Sequence, residues 1–124
     1  KKTDRFLIMA KASRESGIGH WRWQRISALA TLALMVYLTY LVASLGDLDY
    51  AAARDFVSAP LHMIALGLLL LAGLFHAALG VQMIIEDYIV LDQGRHGWIM
   101  FMRVLFVVLG AASLWALCRI AGIL

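Results

Sequence analysis

Long uninterrupted runs of apolar residues, separated by short polar stretches, dominate this chain. The runs cover residues 26–45, about 56–85 and about 98–118, and the third alone contains a charged residue, Arg103. A helix needs about 20 residues to cross the hydrocarbon core of a membrane, so each run is long enough. Backbone groups in lipid must hydrogen-bond within their own segment, which favours helices. The pattern therefore predicts an all-α membrane protein with three transmembrane helices, at about 25–46, 58–87 and 97–120.

Aromatic and helix-breaking residues lie where the predicted helices end. Trp21, Trp23 and Trp98 occupy positions typical of an aromatic belt at the membrane interface. Pro60, the one proline, comes at the start of the second predicted helix, where a missing N–H costs nothing. We interpret residues 1–124 as a single membrane-anchor domain.

Composition supports the membrane assignment. The chain is 63% hydrophobic and 15% charged, whereas charged residues make up about a quarter of a soluble protein. A soluble domain could not cover so much apolar surface. The single cysteine, Cys118, excludes an intrachain disulfide and a cysteine-based metal cluster.

Charge is distributed unevenly and predicts an orientation. Residues 1–25 carry seven basic side chains against two acidic ones, Asp4 and Glu15. Basic flanks stay on the cytoplasmic side, so residues 1–24 are predicted to form a cytoplasmic N-terminal segment. Segment 46–60 then faces the outside, segment 86–97 faces the cytoplasm, and the C-terminus ends on the outside.

His76 is the most informative polar residue, because it lies near the middle of the second predicted helix. An ionisable side chain at that depth is a functional hypothesis by default. Neutral imidazole is a preferred ligand of haem iron, so His76 is a candidate axial haem ligand. The alternative is a neutral histidine that hydrogen-bonds to a neighbouring helix.

Small residues lie on the same helical face as His76. Ala72 and Gly73 precede it by one turn and Gly80 follows by one turn. Such a stripe leaves space for a flat macrocycle, although close helix–helix packing also uses Gly and Ala. His62 is roughly 21 Å away along the helix, so a second axial histidine is expected from a partner chain.

Asp87 and Tyr88 form a second candidate site at the end of the same helix. Asp87 follows His76 by eleven residues, which returns to nearly the same face roughly 16 Å further along. A tyrosine hydroxyl beside a carboxylate can hydrogen-bond to a quinone carbonyl and help to deliver protons. The alternative is an interfacial tyrosine next to a solvated acid.

Two arginines are candidates for weaker roles. Arg25 opens the first predicted helix, where it can pair with a haem propionate or act as a positive-inside anchor. Arg103 can extend its head group to the membrane surface, or pair with Asp87 or a propionate.

Two motifs resemble those of a known family, the hydrophobic membrane anchor subunit of bacterial succinate dehydrogenase. Residues 20–28, HWRWQRISA, resemble its "HWxxQRxTA"-like opening, with Ser27 where threonine is more usual. Residues 76–88, HAALGVQMIIEDY, resemble its "HaxxGxqxIIeDY" segment. The resemblance covers roughly residues 18–90, and the third helix fits by hydrophobicity alone.

The resemblance implies specific roles for residues of this chain. It makes His76 an axial ligand of haem b, and the second histidine comes from a sister membrane anchor subunit. It has Tyr88 hydrogen-bond to ubiquinone, Asp87 support that site, and Arg25 lie near the haem propionates.

The resemblance also implies the surroundings of the chain. The three helices would form half of a two-subunit haem-binding bundle in the bacterial inner membrane. A flavoprotein with FAD and an iron–sulfur subunit would dock on the cytoplasmic face. The chain would then anchor succinate:quinone oxidoreductase, complex II of the respiratory chain and tricarboxylic acid cycle, without catalysis of its own. The alternatives are a cytochrome b-type anchor of another respiratory oxidoreductase, and a structural membrane subunit without a redox cofactor.

Overall fold

The computed structural model describes the backbone of residues 2–89 and 92–123. It describes the side chains of residues 17–89 and 94–123. Four helices account for nearly all of the described residues. They are α1 (Lys2–Leu45), α2 (Tyr50–Ser58), α3 (Pro60–Tyr88) and α4 (Asp92–Ile120). Three stretches are long and apolar enough to cross a membrane: Gly17–Leu45, Pro60–Tyr88 and Gly94–Ile120. The predicted all-α architecture with three candidate membrane spans is confirmed.

The first helix is longer than the sequence predicted. Its start was predicted near residue 25, but α1 begins at Lys2 and runs without a break into the membrane-spanning stretch. Gly17 and Gly19 lie within α1 and are poor helix formers. Each lowers the stability of a helix by only about 1 kcal/mol relative to alanine. The polar N-terminal segment is therefore continuous with the first span.

The short helix α2 lies in a segment that the sequence analysis treated only as an outer loop. Asp49 caps its N-terminus, because the carboxylate accepts a hydrogen bond of 2.8 Å from the N–H of Ala52. Three alanines, residues 51–53, then supply high helix propensity. Ala59 separates α2 from α3, and Pro60 occupies the first turn of α3 as predicted.

Polar contacts fasten α2 to the neighbouring helix ends. Arg54 Nε donates a hydrogen bond of 2.8 Å to the backbone oxygen of Ile120, at the last residue of α4. His62 Nδ1 lies 2.6 Å from the backbone oxygen of Phe56. Since a carbonyl can only accept, His62 must donate this hydrogen bond. The start of α3 and the end of α4 are thus joined through α2.

The central helix is α3, which packs against α1 on one side and α4 on another. Very little is buried by this packing: among the described side chains, Leu41 and Met102 are the buried large hydrophobic ones, at 2% and 4% exposed. More than half of the large apolar side chains of the spans are exposed. Helices that are apolar on all sides require lipid or other protein as their surroundings.

The Asp49 cap generates a test of the α2 assignment. We expect Asp49→Ala to lower the stability of this nine-residue helix by about 1 kcal/mol, which increases amide exchange roughly fivefold. Hydrogen–deuterium exchange of the membrane-embedded protein measures this directly. Asp47→Ala is the matched control, because Asp47 caps no helix in the described part of the chain. Equal exchange of residues 50–58 in both variants would contradict the cap.

Candidate functional site

His76 lies on α3 where this helix contacts α1, and its imidazole is partly buried. The Nδ1 atom is 3.1 Å from Oγ of Ser27, a residue 49 positions earlier in the sequence. Ser27 is the one buried polar side chain among the described residues, at 5% exposed. The structure therefore pairs the mid-membrane histidine with a hydroxyl of the first span.

The serine hydroxyl makes a second contact within α1. Ser27 Oγ donates a hydrogen bond of 3.1 Å to the backbone oxygen of Gln24, three residues earlier. Serine in a helix often bonds back to a preceding carbonyl in this way. The Nε2 atom of His76, in contrast, makes no hydrogen bond within the described residues.

Both interpretations of His76 find support in this geometry. The hydrogen bond to Ser27 is the cross-helix contact that the structural alternative requires. Ligation of a metal requires one ring nitrogen without a hydrogen-bond partner, and Nε2 meets that requirement. Metal-bound imidazoles generally use the other nitrogen for a hydrogen bond of this kind.

The two glycines near His76 have different surroundings. A Cβ added to Gly73 would meet no other atom within 4 Å, so the space beside this residue is open. A Cβ added to Gly80 would lie 3.7 Å from Nε2 of Gln24, so this glycine packs against α1. Gly73 fits the predicted space for a macrocycle, whereas Gly80 fits close helix–helix packing.

One face of α1 carries a stripe of polar residues that was not predicted from the sequence. His20, Gln24, Ser27 and Thr31 are separated by four, three and four residues, which places them on one helical face. His20 Nε2, Gln24 Oε1 and Thr31 Oγ1 are buried without a hydrogen-bond partner in the described part of the chain. The helical spacing of these polar residues was the available signal.

Asp87 and Tyr88 end α3, and both side chains are exposed. Tyr88 is 83% exposed, and no hydrogen bond joins it to Asp87 within the described residues. The phenol is therefore accessible to groups from outside this chain. The predicted orientation of the tyrosine by its neighbouring acid stays a prediction.

The two arginines contact residues other than the predicted ones. Arg103 Nη2 donates a hydrogen bond of 3.4 Å to Oε1 of Gln82, and Nε2 of Gln82 donates one of 2.7 Å to Glu86. These three side chains link α4 to α3, and Arg103 does not pair with Asp87 within the described residues. Gln82 was not identified from the sequence.

Arg25 lies over the ring of Trp21, one turn earlier on α1, with its guanidinium carbon 4.7 Å from the ring centroid. This is cation–π geometry, which holds the guanidinium close to the helix surface. The predicted contact of Arg25 with a haem propionate stays a prediction.

An apolar groove of about 700 Å³ runs between α3 and α4. Leu74 and Ala78, two of its lining residues, are each two positions from His76, which turns them about 200° around the helix axis. The groove therefore lies mainly on the side of α3 away from His76, and Leu79 extends it to within about 60° of that residue around the helix axis. The described residues also contain no group of three or more His, Cys, Asp or Glu side chains that could hold a metal ion.

Comparisons with known proteins agree with one another. The family model described as "Succinate dehydrogenase/Fumarate reductase transmembrane subunit" matches residues 4–117. The succinate dehydrogenase hydrophobic membrane anchor subunit of Rickettsia bellii (strain RML369-C) is 30% identical over 99 residues, 78% of this chain and 79% of the relative. The subunit of the same name from Rickettsia conorii (strain ATCC VR-613 / Malish 7) is 29% identical over 115 residues, 90% of each chain. No solved structure matches significantly.

Proposed function

The chain belongs to the family of succinate dehydrogenase/fumarate reductase transmembrane subunits, and on that premise we propose that it supplies one axial histidine to a haem b and one side of a ubiquinone site. It is a membrane anchor subunit of that enzyme. The flavoprotein, the iron–sulfur subunit and a sister membrane anchor are its proposed partners. They would hold the FAD, the iron–sulfur clusters and the second haem histidine.

The observation that carries the haem proposal is the state of the two nitrogens of His76. Nδ1 is within hydrogen-bond distance of Ser27, and Nε2 has no hydrogen-bond partner among the described residues. The open space at Gly73, one turn earlier, fits a flat group beside the helix. When bound, haem b supplies one-electron redox chemistry, and the imidazole holds its iron.

A second histidine of this chain does not suit the same haem. His62 is fourteen residues from His76, roughly 21 Å along α3, and its Nδ1 lies against the backbone oxygen of Phe56. His62 is therefore not suited to be the second ligand of a haem at His76. In the proposed two-subunit bundle, the sister anchor subunit would supply the second imidazole.

The quinone proposal depends on the exposure of Tyr88. A phenol that is 83% exposed at the end of α3 can donate its proton to a quinone carbonyl in a pocket completed by the partner subunits. Asp87, the preceding residue, is also exposed and can orient the hydroxyl once the pocket is assembled. This chain would then bind and orient the quinone, and protons would reach it through Tyr88.

The orientation proposal depends on charge. Seven basic residues precede the first apolar run, and Asp47, Asp49 and Asp55 follow it. The positive-inside rule then places the N-terminus in the cytoplasm and the loop between α3 and α4 on the same side. This arrangement brings Tyr88 to the cytoplasmic face, where the soluble subunits are proposed to dock.

We expect His76→Leu to abolish or weaken the low-spin haem b spectrum of the purified complex, because leucine fills similar space and cannot bind iron. His62→Gln is the matched control on the same helix and is expected to keep the spectrum. Absorbance of the dithionite-reduced complexes measures both. An unchanged spectrum in His76→Leu would favour a structural subunit without a haem ligand, the remaining alternative.

Topology is tested with reporter fusions. A reporter that is active only in the cytoplasm should be active when fused after residue 92 and inactive when fused after residue 124, because one span, Gly94–Ile120, lies between these points. The first fusion contains two spans and the second contains all three. The reverse pattern would move Tyr88 away from the proposed docking face.

We expect Tyr88→Phe to lower quinone reduction roughly 5- to 100-fold, since a hydrogen bond to a neutral carbonyl contributes about 1 kcal/mol, and more where charge develops. Succinate oxidation with an artificial soluble acceptor should be unchanged. Asp87→Asn should act in the same direction. Tyr50→Phe is the matched control, because Tyr50 is also 83% exposed but precedes the other end of α3. Wild-type quinone turnover in both Tyr88→Phe and Asp87→Asn would assign the site to the partner subunits alone.

A further inference from the structure

We propose that Ser27 is a positioning residue for the haem: it fixes His76 in the tautomer that carries its proton on Nδ1 and so presents Nε2 to the iron. This inference rests on the proposed role of His76 as a haem ligand. The proposed function uses the contact of Nδ1 with Ser27 as an observation, and this inference assigns a role to the serine itself. It also specifies the chemical form of the ligand.

The tautomer follows from counting protons. Ser27 Oγ lies 3.1 Å from the backbone oxygen of Gln24 and 3.1 Å from Nδ1 of His76. A hydroxyl has one proton, and a carbonyl has none to give. Both contacts are hydrogen bonds only when the hydroxyl donates to Gln24 and accepts from Nδ1–H. The reverse direction would place two acceptor oxygens against each other without a proton between them.

Burial makes this arrangement persistent. Ser27 is 5% exposed, so water has little access to replace either hydrogen bond. Hydrogen bonds are stronger in such surroundings than in water, and an unpaired polar group is costly there. The Gln24 side chain, packed against Gly80, keeps α1 and α3 close one turn from Ser27. The imidazole cannot turn around its Cβ–Cγ bond without losing its partner.

Fixing the tautomer has consequences for iron binding. A neutral imidazole binds metal through the nitrogen that lacks a proton, and with Nδ1 protonated that nitrogen is Nε2. A hydrogen bond donated by the other nitrogen also raises the basicity of the ligand and holds its orientation. A more basic ligand favours ferric over ferrous iron. Loss of the bond should therefore raise the midpoint potential of the haem and weaken its binding.

The test compares two side chains of the same shape at position 27. Ser27→Thr keeps the hydroxyl, and Ser27→Val has the shape of threonine without it. We expect Ser27→Val to raise the haem midpoint potential and to reduce haem affinity about 10- to 100-fold, the usual cost of losing such a partner. Ser27→Thr should remain close to wild type in both. Potentiometric titration and the haem-to-flavin ratio of the purified complex are the readouts.

Thr31→Val is the matched control for the removal of a hydroxyl from α1. Thr31 is one turn beyond Ser27 on the same face, and its buried Oγ1 has no hydrogen-bond partner in the described part of the chain. This variant should keep the wild-type potential and haem content. An equal change in Thr31→Val and Ser27→Val would show a general effect of α1 polarity and overturn the proposal.

The remaining outcomes separate this inference from the proposed function. Wild-type potential and haem content in Ser27→Val, together with loss of haem in His76→Leu, would overturn the role of Ser27 and leave His76 as the ligand. Retention of the haem spectrum in His76→Leu would overturn both. If Ser27→Val and Ser27→Ala fail to assemble while Ser27→Thr assembles, the hydroxyl serves folding, and the positioning role is wrong.

Discussion

The hydrogen bond between Ser27 and His76 is the polar contact on which the proposed site depends. It joins the polar stripe of α1 to the histidine near the middle of the second span. A polar group in such surroundings must find a partner, because no water competes for it. The bond connects α1 to α3, and Nε2 of the imidazole has no hydrogen-bond partner among the described residues. The position of the proposed haem depends on both.

Few large apolar side chains are buried between the three spans, so apolar packing within this chain is limited. Most large apolar side chains of the spans are exposed, and α3 alone contacts both other spans extensively. Helix association in lipid depends on close packing and on interhelical hydrogen bonds rather than on the hydrophobic effect. Near the start of α3, two side chains join helix ends by hydrogen bonds. Arg54 of α2 contacts the end of α4, and His62 of α3 contacts α2. The outward apolar faces remain for lipid and for the proposed sister anchor.

Run length and apolar composition were sufficient to predict the three spans, because a membrane requires a minimum helix length whatever the details of packing. The start of α3 at Pro60 was also predictable, from the backbone chemistry of proline. The helix α2 was missed, since its signals are local and short: one capping aspartate and three alanines. The continuation of α1 to Lys2 was not predicted, because the first half of this helix is rich in polar residues. A polar stretch indicates a segment outside the membrane, but it does not show whether that segment continues the same helix.

The candidate site was predictable in part. His76 is identifiable alone, since an ionisable residue within a span is costly and needs a reason. Its partner is not identifiable, because spacing along one helix does not reveal which face of another helix lies opposite. The polar residues of α1 at helical spacing pointed to a polar face, but 49 residues separate Ser27 from His76. Asp87 and Tyr88 lie at the end of α3, as predicted, and the pocket proposed for them would be completed by other subunits.

The central claim is that this chain presents Nε2 of a tautomerically fixed histidine to a haem shared with a sister subunit. An electron cryo-microscopy map of the assembled complex, at a resolution that shows ring orientation, tests it most directly. The account predicts haem iron bonded to Nε2 of His76, Nδ1 within hydrogen-bond distance of Ser27 Oγ, and a second imidazole from the sister subunit. Iron bonded to Nδ1 of His76, or a haem held without His76, would contradict it.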